Sequence, residues 1–136
     1  VSVQSDPAVA VMDLTPAYAN DCTRALRTVR LDADGTVFVT DELSGLKPGV
    51  TVSWGMTTDQ KIHAQDAESV TLSDGKQQFR ISRLAGNGQW GVVDVSQPQP
   101  EFRGDSRNAN CQRLELQCVA PDAGVLRIEV RMGLVK

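Results

Sequence analysis

Apolar and polar residues alternate with a period of two in stretch after stretch of this chain, and no other feature constrains its fold as tightly. In "VTVSWGM", Val50, Val52, Trp54 and Met56 fall on one side, and Thr51, Ser53 and Gly55 on the other. "LRIEVRM" sets Leu126, Ile128, Val130 and Met132 against Arg127, Glu129 and Arg131. "LELQC" sets Leu114, Leu116 and Cys118 against Glu115 and Gln117, and "QFRIS" sets Phe79 and Ile81 against Gln78, Arg80 and Ser82. Successive side chains of a strand point to opposite faces, so the pattern describes strands with one dry and one wet face. Antiparallel sheets packed as a sandwich look like this. Val37, Phe38 and Val39 break the alternation and predict a central strand with cover on both faces.

Turn chemistry falls between these stretches. "DADG" (32–35), "KPG" (47–49), "SDGK" (73–76), "GNG" (86–88) and "PDAG" (121–124) all combine Gly with Asp, Asn or Pro. Gly supplies positive φ, and Asp or Asn bonds its own backbone. The remaining segments predict strands over 1–4, 8–13, 23–31, 36–42, 50–56, 60–64, 68–73, 76–83, 89–95, 112–119 and 124–132, roughly ten of which should form. "DLTPAYANDC" predicts one short helical turn, capped by Thr15 with Pro16 at its first position. The longest irregular stretch is 97–111, "QPQPEFRGDSRNANC". The fold class is all-β: one antiparallel β-sandwich domain over residues 1–136.

Composition agrees with a globule. The 136 residues are 40% hydrophobic and 23% charged, which suits a packed core rather than a disordered tail. No apolar run approaches the roughly 18 residues of a membrane helix. The opening "VSVQSDPAVAVMD" has neither a basic end nor a long apolar centre, so no signal peptide is expected in it. Net charge is −3, and the 14 Lys and Arg are scattered singly along strands. Nucleic-acid binding needs a clustered basic surface to displace counterions, and the pattern speaks against it.

Three cysteines, Cys22, Cys111 and Cys118, form neither a complete disulfide framework nor a zinc motif. On one strand, Cys111 and Cys118 would lie roughly 23 Å apart at about 3.3 Å per residue, too far to bond. Cys22 with Cys111 stays open as a pair, but three free thiols with Cys118 buried is the favoured expectation.

Four carboxylates surround the strand in "LDADGTVFVTDELSG". Asp32, Asp34 and Gly35 give a fragment of a calcium loop, but the closing Glu of such a loop is missing and a hairpin turn explains them. Asp41 and Glu42 are adjacent on a strand, so their carboxylates face opposite ways and make a poor acid–base pair. The expectation is that one of them holds a loop or a partner arginine. His63 is the only histidine. Alternation places it with Lys61 on the side opposite Ile62, facing solvent, with no G-x-S-x-G elbow in the chain to serve. Trp54 falls on the apolar face and reads as core. Trp90, at a loop-to-strand junction, reads as half-exposed, either stacking on a sugar ring or capping the sandwich.

Read in order, "VMDLTPAY" (11–18), "RTVRL" (27–31), "GTVFVTDEL" (35–43), "VSWGMTT" (52–58), "VTLSDGKQQFRIS" (70–82) and "GVLRIEV" (124–130) resemble the C-terminal β-sandwich of heparinase II/III-like polysaccharide lyases. In that family an Asp-Leu/Met-Thr-x-Ala-Tyr-like stretch leads into an Arg-bearing strand. A strand ending in Val-x-Asp-Glu follows, then a Trp-bearing strand, then a Gly-Lys hairpin.

The resemblance implies an accessory domain rather than an enzyme. Such lyases carry their cleft on an α/α-toroid, with β-sandwich domains packed against it, and cleave uronic-acid polysaccharides by β-elimination. A base removes the C5 proton, the uronate carboxylate is neutralised, and an acid assists the leaving oxygen. Those residues lie mainly on the toroid, which these 136 residues do not include. Tyr18 and His63 match no catalytic motif of the family. The resemblance thus implies no catalytic residue, metal or cofactor here, a toroid of the same parent chain as partner, and a periplasmic or secreted location. Trp90 and His63 are the expected contacts to an acidic polysaccharide, and Asp41, Glu42 and Trp54 the expected framework residues. The competing expectations are an independent carbohydrate-binding sandwich, which should show an exposed aromatic row, and a purely structural interaction module.

Overall fold

The computed structural model describes residues 1–5, 8–96 and 110–135. Among these it has eleven strands: β1 (Ser2–Ser5), β2 (Ala8–Asp13), β3 (Arg24–Leu31), β4 (Val37–Ser44), β5 (Thr51–Thr58), β6 (Lys61–Gln65), β7 (Ser69–Ser73), β8 (Gln78–Ala85), β9 (Gln89–Asp94), β10 (Gln112–Val119) and β11 (Val125–Leu134). They form two antiparallel sheets. The long sheet has the order β1-β2-β3-β4-β11-β8-β7-β6, and the short one β5-β10-β9. The all-β sandwich is therefore as the alternation predicts, with eleven strands where roughly ten were expected. Most of the irregular 97–111 stretch lies outside the described residues.

The core fills the space between the two sheets. Leu114, Leu116 and Cys118 of β10 meet Val70 and Leu72 of β7, Ile81 of β8, and Leu126, Ile128 and Val130 of β11. Each set consists of alternate residues on its strand, so one dry face per sheet is enough to build the interior. Trp54 of β5 and Trp90 of β9 complete it, ring centroids 6.0 Å apart and nearly perpendicular at 89°. That edge-to-face contact places the positive rim of one ring on the negative face of the other.

Turn chemistry sets the registers. In the β3–β4 hairpin Asp32 N–H donates to Thr36 O (2.9 Å), Gly35 N–H to Asp32 O (3.0 Å), and Thr36 N–H to the Asp34 carboxylate (2.9 Å). Gly35 has φ +83°, a conformation that costs a residue with a Cβ, so the glycine fixes where the chain reverses. Leu31 then pairs with Val37 and the ladder runs unbroken to Arg24 and Ser44. β4 is central, flanked by β3 and β11. Its Phe38 faces away from the short sheet, where the Arg30 guanidinium lies 4.1 Å from the ring centroid. Cover on that side is a cation over a ring rather than a second layer.

Three local expectations need correction. Thr15 does not cap the short helical turn, a 3-10 turn over Thr15–Tyr18; its hydroxyl accepts the Ala25 N–H (3.0 Å) while Asp13 accepts the Thr15 N–H (2.9 Å). The strand expected over 76–83 runs Gln78–Ala85, because the Asp74 carboxylate accepts the N–H groups of Lys76 and Gln77, both at 2.8 Å, and keeps them in the turn. Strict alternation also fails at His63, where the register slips between Ile62 and Ala64.

Candidate functional site

β3 and β4 each carry one charged residue on an otherwise apolar face. On β3 the inward series is Ala25, Arg27, Val29 and Leu31; on β4 it is Val37, Val39, Asp41 and Leu43. The hairpin register sets Arg27 opposite Asp41, and the two form a bidentate pair, Nε to Oδ1 and Nη2 to Oδ2, both 2.7 Å. Asp41 keeps 12% of its side-chain surface exposed and Arg27 36%, so the carboxylate is almost wholly enclosed and the guanidinium reaches out. Bonding to Asp41 raises the Arg27 guanidinium above its ordinary range, against the opposing effect of burial. It is a permanently charged donor with both carboxylate oxygens in its grip.

This pair forms part of the wall of a groove of about 350 Å³ between the two sheets, where β5 passes over β3 and β4. Leu14, Tyr18, Asp21 and Cys22 close one end, and Val50 to Ser53 form the opposite rim. The 3-10 turn brings Tyr18 there, since Pro16 favours helical φ and the turn reverses the chain between β2 and β3. Asp21 N–H and Cys22 N–H both bond Tyr18 O, at 2.9 and 3.0 Å, so the whole rim is one bonded unit. Chemically the groove can hold a polar group against Tyr18 and the free side of Arg27. The Arg27–Asp41 pair neutralises itself, which suits a packing surface better than an anion site.

The other sequence-derived residues lie elsewhere. Trp90 is buried, with 7% exposure, so the expected half-exposed ring for sugar stacking is not there; it packs edge-to-face with Trp54 in the core. His63 is exposed in the β6 bulge and lines a separate shallow depression with Lys61 and Asp74. The structure does not bring Trp90 and His63 together. Glu42 faces outward and lies 3.6 Å from Arg127, opposite in direction to Asp41, as their adjacency requires. Trp54 sits in the core. All three cysteines are free thiols, with Cys22 and Cys118 buried. Asp34 caps the hairpin turn and Asp32 bonds Arg30 at 2.9 Å, so the carboxylates before Gly35 belong to local structure.

The residue that sequence reasoning left unnamed is Arg27. Arg27 and Asp41 are equidistant from Asp34 at the hairpin tip, and each interrupts an apolar face; that symmetry is the signal that pairs them. Compared with known proteins, the chain matches no family model and no curated protein.

Proposed function

We propose that residues 1–136 are the accessory β-sandwich of a heparinase II/III-like polysaccharide lyase, non-catalytic alone, which braces a catalytic toroid and walls one side of its uronate-binding cleft. The parent protein would work in the periplasm or outside the cell. One observation carries the need for a partner. A single row of the long sheet runs Val130, Val39, Val29, Ala10, Val3 across β11, β4, β3, β2 and β1. Its exposure climbs from 0% at Val130 and 8% at Val39, through half-buried Val29 and Ala10, to 77% at Val3. The same apolar face is core at one end and bare at the other, because three strands lie over eight. A surface of that kind is what a domain packed against a larger body leaves behind when viewed alone.

The ordered motifs support the lyase identity of that body. Asp41 of "VTDEL" binds Arg27 of "RTVRL", and Trp54 of "VSWGM" holds the centre of the interior, so the residues behind the resemblance are framework residues of this sandwich. The test is an activity split on uronate-containing polysaccharides, followed by the ultraviolet absorbance of the unsaturated uronate that β-elimination produces. The natural polypeptide carrying this domain should generate it, and residues 1–136 alone should not. Product from the isolated domain, or none from the natural polypeptide on any uronate polymer, would sink the proposal.

A further inference from the structure

We infer that the outer face of the long sheet binds one dianionic phosphate group between Arg80 of β8 and Arg131 of β11. The register sets Arg131 opposite Ser82 and Gly133 opposite Arg80, so the two guanidiniums rise from diagonal positions on one face. Diagonal neighbours of an antiparallel pair lie roughly 7–8 Å apart, within reach of long side chains. Gly133 leaves the position facing Arg80 without a side chain. A hollow of about 180 Å³ opens there, lined by Arg80, Ser82, Arg131 and Gly133 together with Leu134 and Val135.

The pair is an exception in this protein. Arg27 meets Asp41, Arg30 meets Asp32, Arg83 meets Glu68, Arg113 meets Glu115 and Arg127 meets Glu129, each within 3.2 Å. Among the described residues neither Arg80 nor Arg131 forms an ion pair. The surrounding charges are committed elsewhere. Glu129, two residues before Arg131 on the same face, bonds Arg127 at 2.7 Å. Asp66 feels the charge of Arg80, but its oxygens accept the N–H groups of Glu68 and Ser69. Arg30, in the row of Arg131 beyond Phe38, is held by Asp32. Two like charges on neighbouring strands repel, and an anion set between them turns that repulsion into binding.

The donor set selects the class of anion. On the inner face of the same sheet a single guanidinium, that of Arg27, already satisfies both oxygens of one carboxylate. The outer hollow has two guanidinium forks and two positive charges, and the half-buried Ser82 hydroxyl adds a third donor beside them. A planar carboxylate would leave one fork and one charge unanswered. A phosphate group carries about −1.5 to −2 charge at pH 7 and three strong acceptor oxygens, which matches both the charge and the donors. Sulfate esters offer the same oxygens with a single charge. The site belongs to the sandwich itself and does not rest on the lyase reading.

Backbone amide NMR titrations of residues 1–136 test it, with inorganic phosphate, methyl phosphate, methyl sulfate and acetate at matched ionic strength. Phosphate should shift the amides of 80–82 and 131–133 saturably, and methyl sulfate and acetate should bind about tenfold or more weakly. Methyl phosphate binding as tightly as inorganic phosphate identifies the phosphate end of a larger molecule as the ligand; weaker binding identifies the free ion. Arg80→Gln and Arg131→Gln should each weaken phosphate by about tenfold, because a bond between charged groups is lost. Both side chains are exposed, so in chloride the two variants should melt with the parent. Arg24→Gln, which removes another exposed arginine without an ion pair, should leave phosphate affinity unchanged. An absence of saturable shifts overturns the inference. So does acetate or methyl sulfate binding as tightly as phosphate, and so does an Arg24→Gln loss equal to those of the other two, which would show diffuse attraction to surface charge.

Discussion

The Arg27 guanidinium and the Asp41 carboxylate meet through two bonds of 2.7 Å on the inner face of the sheet, where the carboxylate is enclosed and the guanidinium is not. Removing the charge of the enclosed partner strands the other. Asp41→Asn should lower stability by about 1–2 kcal/mol, below the 3–5 kcal/mol of a fully buried pair, because Arg27 retains access to water. Thermal melts of the variant check this, and an unchanged Tm would show that the pair contributes nothing. That one of Asp41 and Glu42 would hold a partner was legible from two adjacent carboxylates pointing to opposite faces of a strand; which one, and which arginine, was not, because pairing depends on register across a hairpin. Two carboxylates in turns, Asp66 and Asp74, are sources of acid sensitivity. Asp66 accepts the N–H groups of Glu68 (2.8 Å) and Ser69 (2.7 Å), and Asp74 accepts those of Lys76 and Gln77. These bonds favour the ionised form and hold both carboxyls below the usual range. A depressed folded value means stability that is complete above the unfolded value of about 3.9 and is lost as pH falls through the folded one. The Asp66→Asn, Asp74→Asn double variant should therefore lose less Tm between about pH 5 and pH 2 than the parent. Parallel acid limbs would contradict it.

Strand positions followed from alternation and turn chemistry because both are local. All eleven segments appear, most within two residues of the expected ends, and the shift of β8 traces to the Asp74 turn. Trp90 was misjudged for the opposite reason. Its neighbours in sequence are loop residues, but its burial depends on β9 pairing with β10 and on Trp54 arriving from β5. The approach to β9 is equally tight at Gly88, where a Cβ would lie 2.6 Å from Cys118 Sγ and 2.8 Å from Gln117 O. One of those atoms is backbone of β10 and cannot swing aside. Gly88→Ala should cost roughly 2–3 kcal/mol by overpacking. Gly91, inside β9, has open space around its Cβ position, so Gly91→Ala should be neutral or stabilising by up to about 1 kcal/mol through lost chain entropy in the unfolded state. Denaturant midpoints of the two variants separate these outcomes; similar losses would mean that β9 tolerates no side chain on either count.

Seen whole, the molecule is asymmetric: a sheet of eight strands lies under a sheet of three. The sandwich class could be read from the sequence, but the bare half could not, since the apolar residues of β2 and β3 look the same whether or not a layer covers them. Leu31, exposed on that face, is the simplest probe. Leu31→Lys should change the stability of the isolated domain by no more than about 0.5 kcal/mol. It should also reduce binding of a hydrophobic dye, and a Tm loss of core size would show the face to be covered from within. The proposed packing against a larger body is the central claim, and the coding sequence ahead of the Val1 codon tests it most directly. Sequencing the coding region there should reveal a long helical-repeat domain leading into this sandwich; an initiation codon with its own promoter immediately ahead of Val1 would contradict it.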